Sequence, residues 1–161
     1  MTDEGATDAR PRDEIAVRAR KLDALRAAGI EPYPDRYDRT ATSAVLSARY
    51  GTLEPGDEVA DKVAVAGRLV AKRDQGKVLF LVLRDTTGEI QLFCRVNVLG
   101  EEAFAAAADL DLGDWVGASG TVLRTRRGEL SVAPSAVRLL SKSLRPLPEK
   151  FHGLTDTETR Y

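Results

Sequence analysis

Runs of apolar, β-prone residues separated by polar turns predict five β-strands between residues 62 and 139. In the third of them, Ile90, Leu92 and Cys94 recur at every second position, so one face of that strand can be buried while the other faces outward. The predicted strands are 62–73, 77–84, 89–96, 114–125 and 129–139, with glycine-containing turns at 75–76, 86–88 and 126–128.

A helix is predicted over 99–110, where Phe104 is followed by four alanines and two glutamates stand near the start. The resulting order is three strands, a helix and two strands. This order is typical of the OB-fold, a five-stranded Greek-key barrel with a helix at one end. The predicted fold class is therefore mainly β with flanking helices, namely an OB-fold barrel over 59–141 preceded by an N-terminal helical segment.

The segment before the barrel, 13–58, is predicted to be a helical extension and a connector. A helix should begin at Asp13, carry Leu22 and Leu25 on its packed face, and stop at Gly29. An extended connector over 30–39, which contains two prolines, and a short helix over 43–50 should follow. Residues 1–12 contain little apolar material and are expected to be a disordered tail, and 142–161 are expected to be a linker.

The charged face of the first helix has two interpretations. Arg18, Lys21 and Arg26 lie together at helical spacing. A solvated face is the main expectation, because charged helix faces usually point to water. Contact with RNA is the alternative.

Composition narrows the class of protein. With 161 residues, of which 43% are hydrophobic and 30% charged, the chain is expected to be a soluble, cytoplasmic protein without a membrane partner. Cys94 is the single cysteine and His152 the single histidine, so neither an internal disulfide nor a Cys/His zinc site is expected. The net charge of −1 conceals a basic stretch between Lys62 and Arg95.

The predicted barrel suggests where a ligand would bind. OB-folds bind oligonucleotides across their second and third strands, where aromatic side chains stack on bases. If the even positions of the second strand face outward, Phe80 lies there beside Gln91 and Phe93, with Lys72 and Arg73 at the end of the first strand. A core position for Phe80 is about equally expected, and Phe93 could instead pack beneath the last hairpin.

Catalytic chemistry is not predicted. The chain has no glycine-rich phosphate loop, and the four residues 117–120 fall inside a predicted strand, where they indicate a bend of the barrel. The acidic pairs at 101–102 and at 109 and 111 stand at helix ends, where capping roles suffice. Neither a catalytic nor a metal site is therefore assigned.

Several motifs resemble the anticodon-binding domain of class IIb aminoacyl-tRNA synthetases. Those motifs occupy 65–68, 72–73, 76–77, 80, 83–85, 88 and 90–92. Further runs narrow the resemblance to the bacterial lysyl-tRNA synthetases, above all the run from Ser143 to Leu154 and the closing Glu-Thr-Arg-Tyr. The resemblance extends from about Asp13 to the last residue.

The resemblance implies roles for individual residues. Phe80 would stack on the central anticodon base, while Arg73 and Gln91 hydrogen-bond that base. Glu129, in the last hairpin, would take part in reading a U-rich anticodon. Further nucleic-acid contacts are expected from Phe93 and from three cations, Arg68, Lys72 and Lys77. Arg68 has the opposite strand parity to Arg73 unless a β-bulge lies between them.

The resemblance also implies what this chain lacks. Enzymes of the family attach lysine to its tRNA with ATP and magnesium, in a catalytic domain that would follow Tyr161. The chain is accordingly expected to be non-catalytic and without a cofactor, a monomer with lysine tRNA as its partner. A fragment of a homodimeric ligase is the main expectation, and a free-standing binding module is the alternative. The alternatives are a single-strand-binding OB protein indifferent to sequence and a purely structural appendage.

Overall fold

The computed structural model describes residues 4–27 and 37–144, with side chains from residue 14 onward. Five strands form a closed barrel in the order β1-β2-β3-β5-β4. The helices are α1 Glu4–Ala27, α2 Ser43–Tyr50, α3 Val96–Leu99 and α4 Glu101–Ala108, and the strands are β1 Glu58–Asp74, β2 Val78–Asp85, β3 Gly88–Arg95, β4 Trp115–Arg124 and β5 Leu130–Ser141.

The strand pairing confirms the predicted Greek-key barrel. All neighbouring strands are antiparallel except β3 and β5, which pair in parallel through Gln91 with Ser131 and Leu92 with Val132. This parallel contact closes the barrel and removes the exposed edges that an open sheet would have. The β1–β2–β3 meander and the β4–β5 hairpin lie where the sequence predicted them, within four residues at each end.

The barrel is filled by the leucines that alternate along β2. Leu79, Leu81 and Leu83 are at most 1% exposed, and Leu92 on β3 is fully buried. The intervening residues of both strands are only partly buried. The alternation in the sequence therefore corresponds to an apolar interior and an outer face that is available to a ligand.

Helix α2 belongs to the barrel, although the predicted boundary at residue 59 excluded it. Leu46 and Tyr50 pack in the same core cluster as Leu79 and Phe104. The backbone N–H of Ser43 donates a hydrogen bond to Asp85 Oδ2 at 2.9 Å, which fastens the start of α2 to the β2–β3 turn. The core therefore needs residues on the N-terminal side of β1.

The helix predicted over 99–110 corresponds to α4 in the structure, and a short helix that was not predicted, α3, precedes it. Gly100 separates α3 from α4 and has a φ of 89°, which a residue with a side chain rarely adopts. The short α3 directly follows β3. The sequence prediction missed this break because it took Gly100 for part of a continuous helix.

Helix α1 begins earlier than predicted. It starts at Glu4 and not at Asp13, so residues 4–12 are helical and not a disordered tail. Alanine, glutamate and arginine in this segment favour a helix, although Gly5 and Pro11 do not, and low apolar content does not by itself exclude one. Residues 1–3, the connector over 28–36 with Gly29, and the predicted linker from residue 145 onward lie outside the described residues.

The charges on α1 bind the barrel, which corrects the expectation of a solvated face. Arg18 is 7% exposed and donates a hydrogen bond to Ser143 Oγ. Lys21 Nζ lies 3.2 Å from Asp111 Oδ2. Burial alone would raise the pKa of Asp111, but hydrogen bonds and charge attraction from Lys142 and Lys21 lower it below its ordinary value. Arg26 remains exposed.

The predicted bend over 117–120 is present in β4. The register of β4 against β5 shifts between Ser119 and Gly120. A Cβ atom at Gly120 would lie 2.0 Å from the carbonyl oxygen of Ala133, so only glycine allows the two backbones to approach this closely. No helix in the described parts of the chain is long and apolar enough to cross a membrane.

Candidate nucleic-acid interface

Phe80 lies on the outer face of the barrel and not in the core. It stands opposite Arg73 of β1 and opposite Phe93 of β3. The guanidinium carbon of Arg73 is 4.6 Å from the centroid of the Phe80 ring. The rings of Phe80 and Phe93 meet edge to face, with centroids 5.2 Å apart. Phe93 therefore packs against Phe80 and not beneath the last hairpin.

A β-bulge in β1 decides which cations share this face. The register between β1 and β2 shifts between Leu69 and Ala71. Before the shift Arg68 stands opposite Arg84, and after it Arg73 stands opposite Phe80, so both arginines have outward-facing partners. Strict alternation would place Arg68 and Arg73 on opposite faces of β1, and the bulge places them on the same face.

The same bulge turns Lys72 away from the face. Lys72 stands opposite the buried Leu81, and its Nζ donates hydrogen bonds to the carbonyl oxygens of Ala108 at 2.7 Å and Leu110 at 2.8 Å. A cation is favourable at this position, because the carbonyl groups at the end of α4 have no partner within the helix. The geometry thus gives Lys72 a structural role at the end of α4, and its contact with nucleic acid stays a prediction.

Gln91 is held in position by a residue that sequence reasoning missed. It lies opposite Val82, diagonal to Phe80, and its Nε2 donates a hydrogen bond to Ser131 Oγ at 3.0 Å. Ser131 is fully buried and donates in turn to the carbonyl oxygen of Glu129. The pairing of β3 with β5 creates this contact, and no local pattern around Ser131 signals it. The carboxamide has a second N–H and an oxygen with which to pair a base edge.

Two predicted residues lie at the rim of the face. Glu129 is exposed beside the β4–β5 turn, directly before the first residue of β5. Lys77 is exposed in the β1–β2 turn, which Gly76 forms with a φ of 82°. Whether these two residues contact nucleic acid stays a prediction.

We call Arg73, Phe80, Gln91 and Phe93 together the stacking face. It combines two aromatic rings, one cation and one oriented amide on the strands that OB-folds use for oligonucleotides. Aromatic rings stack on bases, and a guanidinium pairs with phosphates or base carbonyls. The arrangement is suited to holding an unpaired base by its flat surface and its edge at the same time.

Another cation adjoins the stacking face without having been assigned to it. The guanidinium carbon of Arg95 lies 5.3 Å from the Phe93 ring centroid. The signal was present in the sequence, because Arg95 is two positions after Phe93 on the same strand and so lies on the same side.

Comparison with known proteins agrees with this geometry. Residues 63–140 match the tRNA anti-codon family model, described as an OB-fold nucleic acid binding domain. The chain is 49% identical over 151 residues to the lysine–tRNA ligase of Streptococcus pyogenes serotype M49, an alignment that covers 92% of the chain and 30% of the relative. It is 47% identical over 166 residues to that of Thermosynechococcus vestitus, covering 100% of the chain and 32% of the relative.

These matches confirm the resemblance found in the motifs. The chain spans about a third of the length of these relatives. Residues 63–140 are therefore a tRNA anti-codon OB-fold nucleic acid binding domain, and nearly the whole chain is similar to part of lysine–tRNA ligases.

Proposed function

We propose that this chain is the anticodon-binding part of a lysine–tRNA ligase and that the stacking face holds the anticodon of a lysine tRNA. The observation that carries the proposal is the position of Phe80, with Arg73 on one side and Gln91 diagonal to it, on the outer surface of an OB barrel. We infer that the cognate amino acid is lysine from the names of the relatives, which are lysine–tRNA ligases.

The central base of the anticodon would stack on Phe80. Arg73 is exposed, and among the described residues its contact is with that ring, so it can shift to donate to a base carbonyl or a phosphate. Gln91 offers a donor and an acceptor side by side, which matches the edge of uracil, where a carbonyl adjoins an N–H. This pair of hydrogen bonds gives selectivity that stacking alone lacks.

The remaining chemistry of such a ligase belongs elsewhere. No group of three His, Cys, Asp or Glu side chains in the described residues is arranged to hold a metal ion. Because the chain aligns with about a third of the relatives, we assign the binding of ATP, magnesium and lysine, and the contacts of a homodimer, to the part of the ligase that lies outside this alignment. By itself this chain would bind tRNA as a monomer.

Binding of short RNAs tests the proposal. Fluorescently labelled anticodon stem-loops that differ only at the central anticodon base would be titrated with the protein, and anisotropy would be recorded. We expect the stem-loop with a central U to bind at least roughly tenfold more tightly than the other three, because a mismatched base leaves the amide unpaired. A stem-loop with a substitution in the stem serves as the control.

Two outcomes would contradict the proposal. Equal affinity for all four bases would identify a single-strand-binding OB protein that is indifferent to sequence. The absence of any salt-sensitive binding would identify a structural appendage, because RNA contacts through cations weaken as the salt concentration rises.

A further inference from the structure

Arg95 ends a row of alternating cations and rings. Arg73 lies over Phe80, Phe80 meets Phe93, and the guanidinium carbon of Arg95 lies 5.3 Å from the centroid of Phe93. The two rings are thus bracketed by two guanidinium groups. Strand alternation places Arg95 on the same side as Phe93, but the family motifs do not include it.

The side chain of Arg95 has no firm structural partner among the described residues. Its Nε is buried without a hydrogen-bond acceptor. Its charged neighbour is Glu58, with 3.9 Å between Arg95 Nη2 and Glu58 Oε2, which is too long for a hydrogen bond. A guanidinium has five N–H donors, and leaving them unused is unfavourable unless a ligand or water accepts them.

Two other arginines of the barrel have structural roles, because each donates at least two hydrogen bonds to acceptors within the protein. Arg124 donates to the carbonyl oxygens of Leu53 at 2.6 Å and Gly128 at 2.7 Å, which joins two loops. Arg84 pairs with Glu89 through two of its nitrogens. Arg95 differs from both, because ring contact and one loose ion pair hold it.

Glu58 is held beside Arg95 by a hydrogen bond from Thr121 of β4. The Thr121 hydroxyl donates a hydrogen bond to Glu58 Oε2 at 2.9 Å, which keeps the carboxylate near the guanidinium. The Glu58 side chain is 46% exposed, so its attraction to Arg95 is weakened by water. A phosphate could displace it from the guanidinium.

We propose that Arg95 binds a backbone phosphate of a nucleotide next to the stacked base, and that Glu58 competes with this phosphate. The inference rests on the proposed function of the stacking face. Arg95 is four residues from Gln91 along β3, so their Cα atoms are roughly 13 Å apart and the two do not read the same base. The planar fork of a guanidinium matches a phosphate well.

Salt-dependent binding of the anticodon stem-loop tests the role of Arg95. We expect Arg95→Gln to weaken binding roughly tenfold, because charge-assisted hydrogen bonds are lost. The loss should be equal for all anticodon sequences, and the slope of log K against log salt should fall by about 0.7, as for one phosphate contact on a single strand. Arg95→Lys should keep most of the slope, because it keeps the charge.

Glu58→Gln tests the competition. Removing the carboxylate should tighten binding by up to roughly fivefold, as expected for a surface ion pair, and should have no effect when Arg95→Gln is also present. Glu54→Gln is the matched control, since it removes the same charge from an exposed residue of the loop before β1. Thermal unfolding of each variant would verify that the barrel is intact.

The outcomes separate this inference from the proposed function. If the unaltered chain binds no stem-loop, the proposed function itself fails. If it binds but Arg95→Gln has the same affinity and slope, only the role of Arg95 is wrong. A loss confined to one base would show that Arg95 reads a base, and unchanged or weaker binding by Glu58→Gln would refute the competition.

Discussion

Arg73 and Phe80 are neighbours because one residue of β1 is bulged out. The bulge between Leu69 and Ala71 directs Arg73 outward, and its guanidinium carbon then lies 4.6 Å from the centroid of the Phe80 ring. A β1 without the bulge would present Lys72 at that position. The composition of the stacking face therefore depends on a local irregularity of one strand.

Replacing Phe80 should weaken RNA binding without unfolding the barrel. We expect Phe80→Ala to cost about 1–3 kcal/mol of binding free energy, because a stacking surface is removed, whereas Phe80→Tyr should retain most of it. Titration of the anticodon stem-loop measures the effect. Val82→Ala is the matched control, since Val82 is a partly buried apolar residue on the same strand. Undiminished affinity of Phe80→Ala would remove Phe80 from the site.

Arg73 and Lys72 should have opposite effects on binding and stability. Arg73→Gln should weaken RNA binding and leave the free energy of unfolding nearly unchanged. Lys72→Gln should leave binding nearly unchanged and lower the free energy of unfolding by about 1 kcal/mol, because the end of α4 loses its cation. Urea unfolding and stem-loop titration of both variants provide the comparison. The reverse pattern would mean that β1 lacks the bulge.

Ser131 should support base selectivity through Gln91. Ser131→Ala removes the hydrogen bond that orients the carboxamide, so the preference for a central U should fall by about 1 kcal/mol. Gln91→Ala should reduce this preference further. Ser135→Ala makes the same chemical change at an exposed position of β5 and should leave selectivity intact. Equal selectivity in Ser131→Ala and the unaltered chain would show that Gln91 needs no support.

Lys142 should be essential to the stability of the barrel. Its Nζ lies 2.8 Å from Asp114 Oδ2, and the Asp114 side chain is fully buried. Lys142→Met should lower the free energy of unfolding by about 3–5 kcal/mol, because it leaves a buried carboxylate without a cation. Urea unfolding measures the loss, with Lys62→Met, at an exposed position of β1, as the control. A loss as small as that of the control would contradict the prediction.

Asp111 should make stability depend on pH in the acidic range. Its pKa is lowered in the folded state, so its ionised form stabilises the fold above its ordinary pKa of 3.8, and this contribution is lost as the pH falls through the lowered value. The free energy of unfolding of Asp111→Asn should therefore be lower than that of the unaltered chain at pH 6. The difference should shrink as the pH falls below the ordinary pKa of 3.8. Denaturant unfolding across this range tests the sign. A difference that is constant with pH would contradict it.

Much of the fold was accessible from the pattern of residues. The apolar run over 78–83 located β2 but left open which of its sides is buried, and Thr42 and Gly51 flank an α2 that runs from Ser43 to Tyr50 as predicted. Such features are set by neighbours in the chain. The break at Gly100 and the early start of α1 were missed, because helix propensity alone does not fix where helices end.

The candidate site likewise has features that follow from the local sequence and features that depend on the tertiary structure. Sequence by itself determined that Gln91 and Phe93 share one face of the third strand, since strand alternation is a local property, but it left Phe80 equally open to the core. Only the tertiary structure decided that Ser131 orients Gln91, that Lys72 binds the end of α4, and that a bulge brings Arg73 to Phe80. Each of these depends on how strands pair across the barrel, and that pairing is settled by packing between segments far apart in the chain.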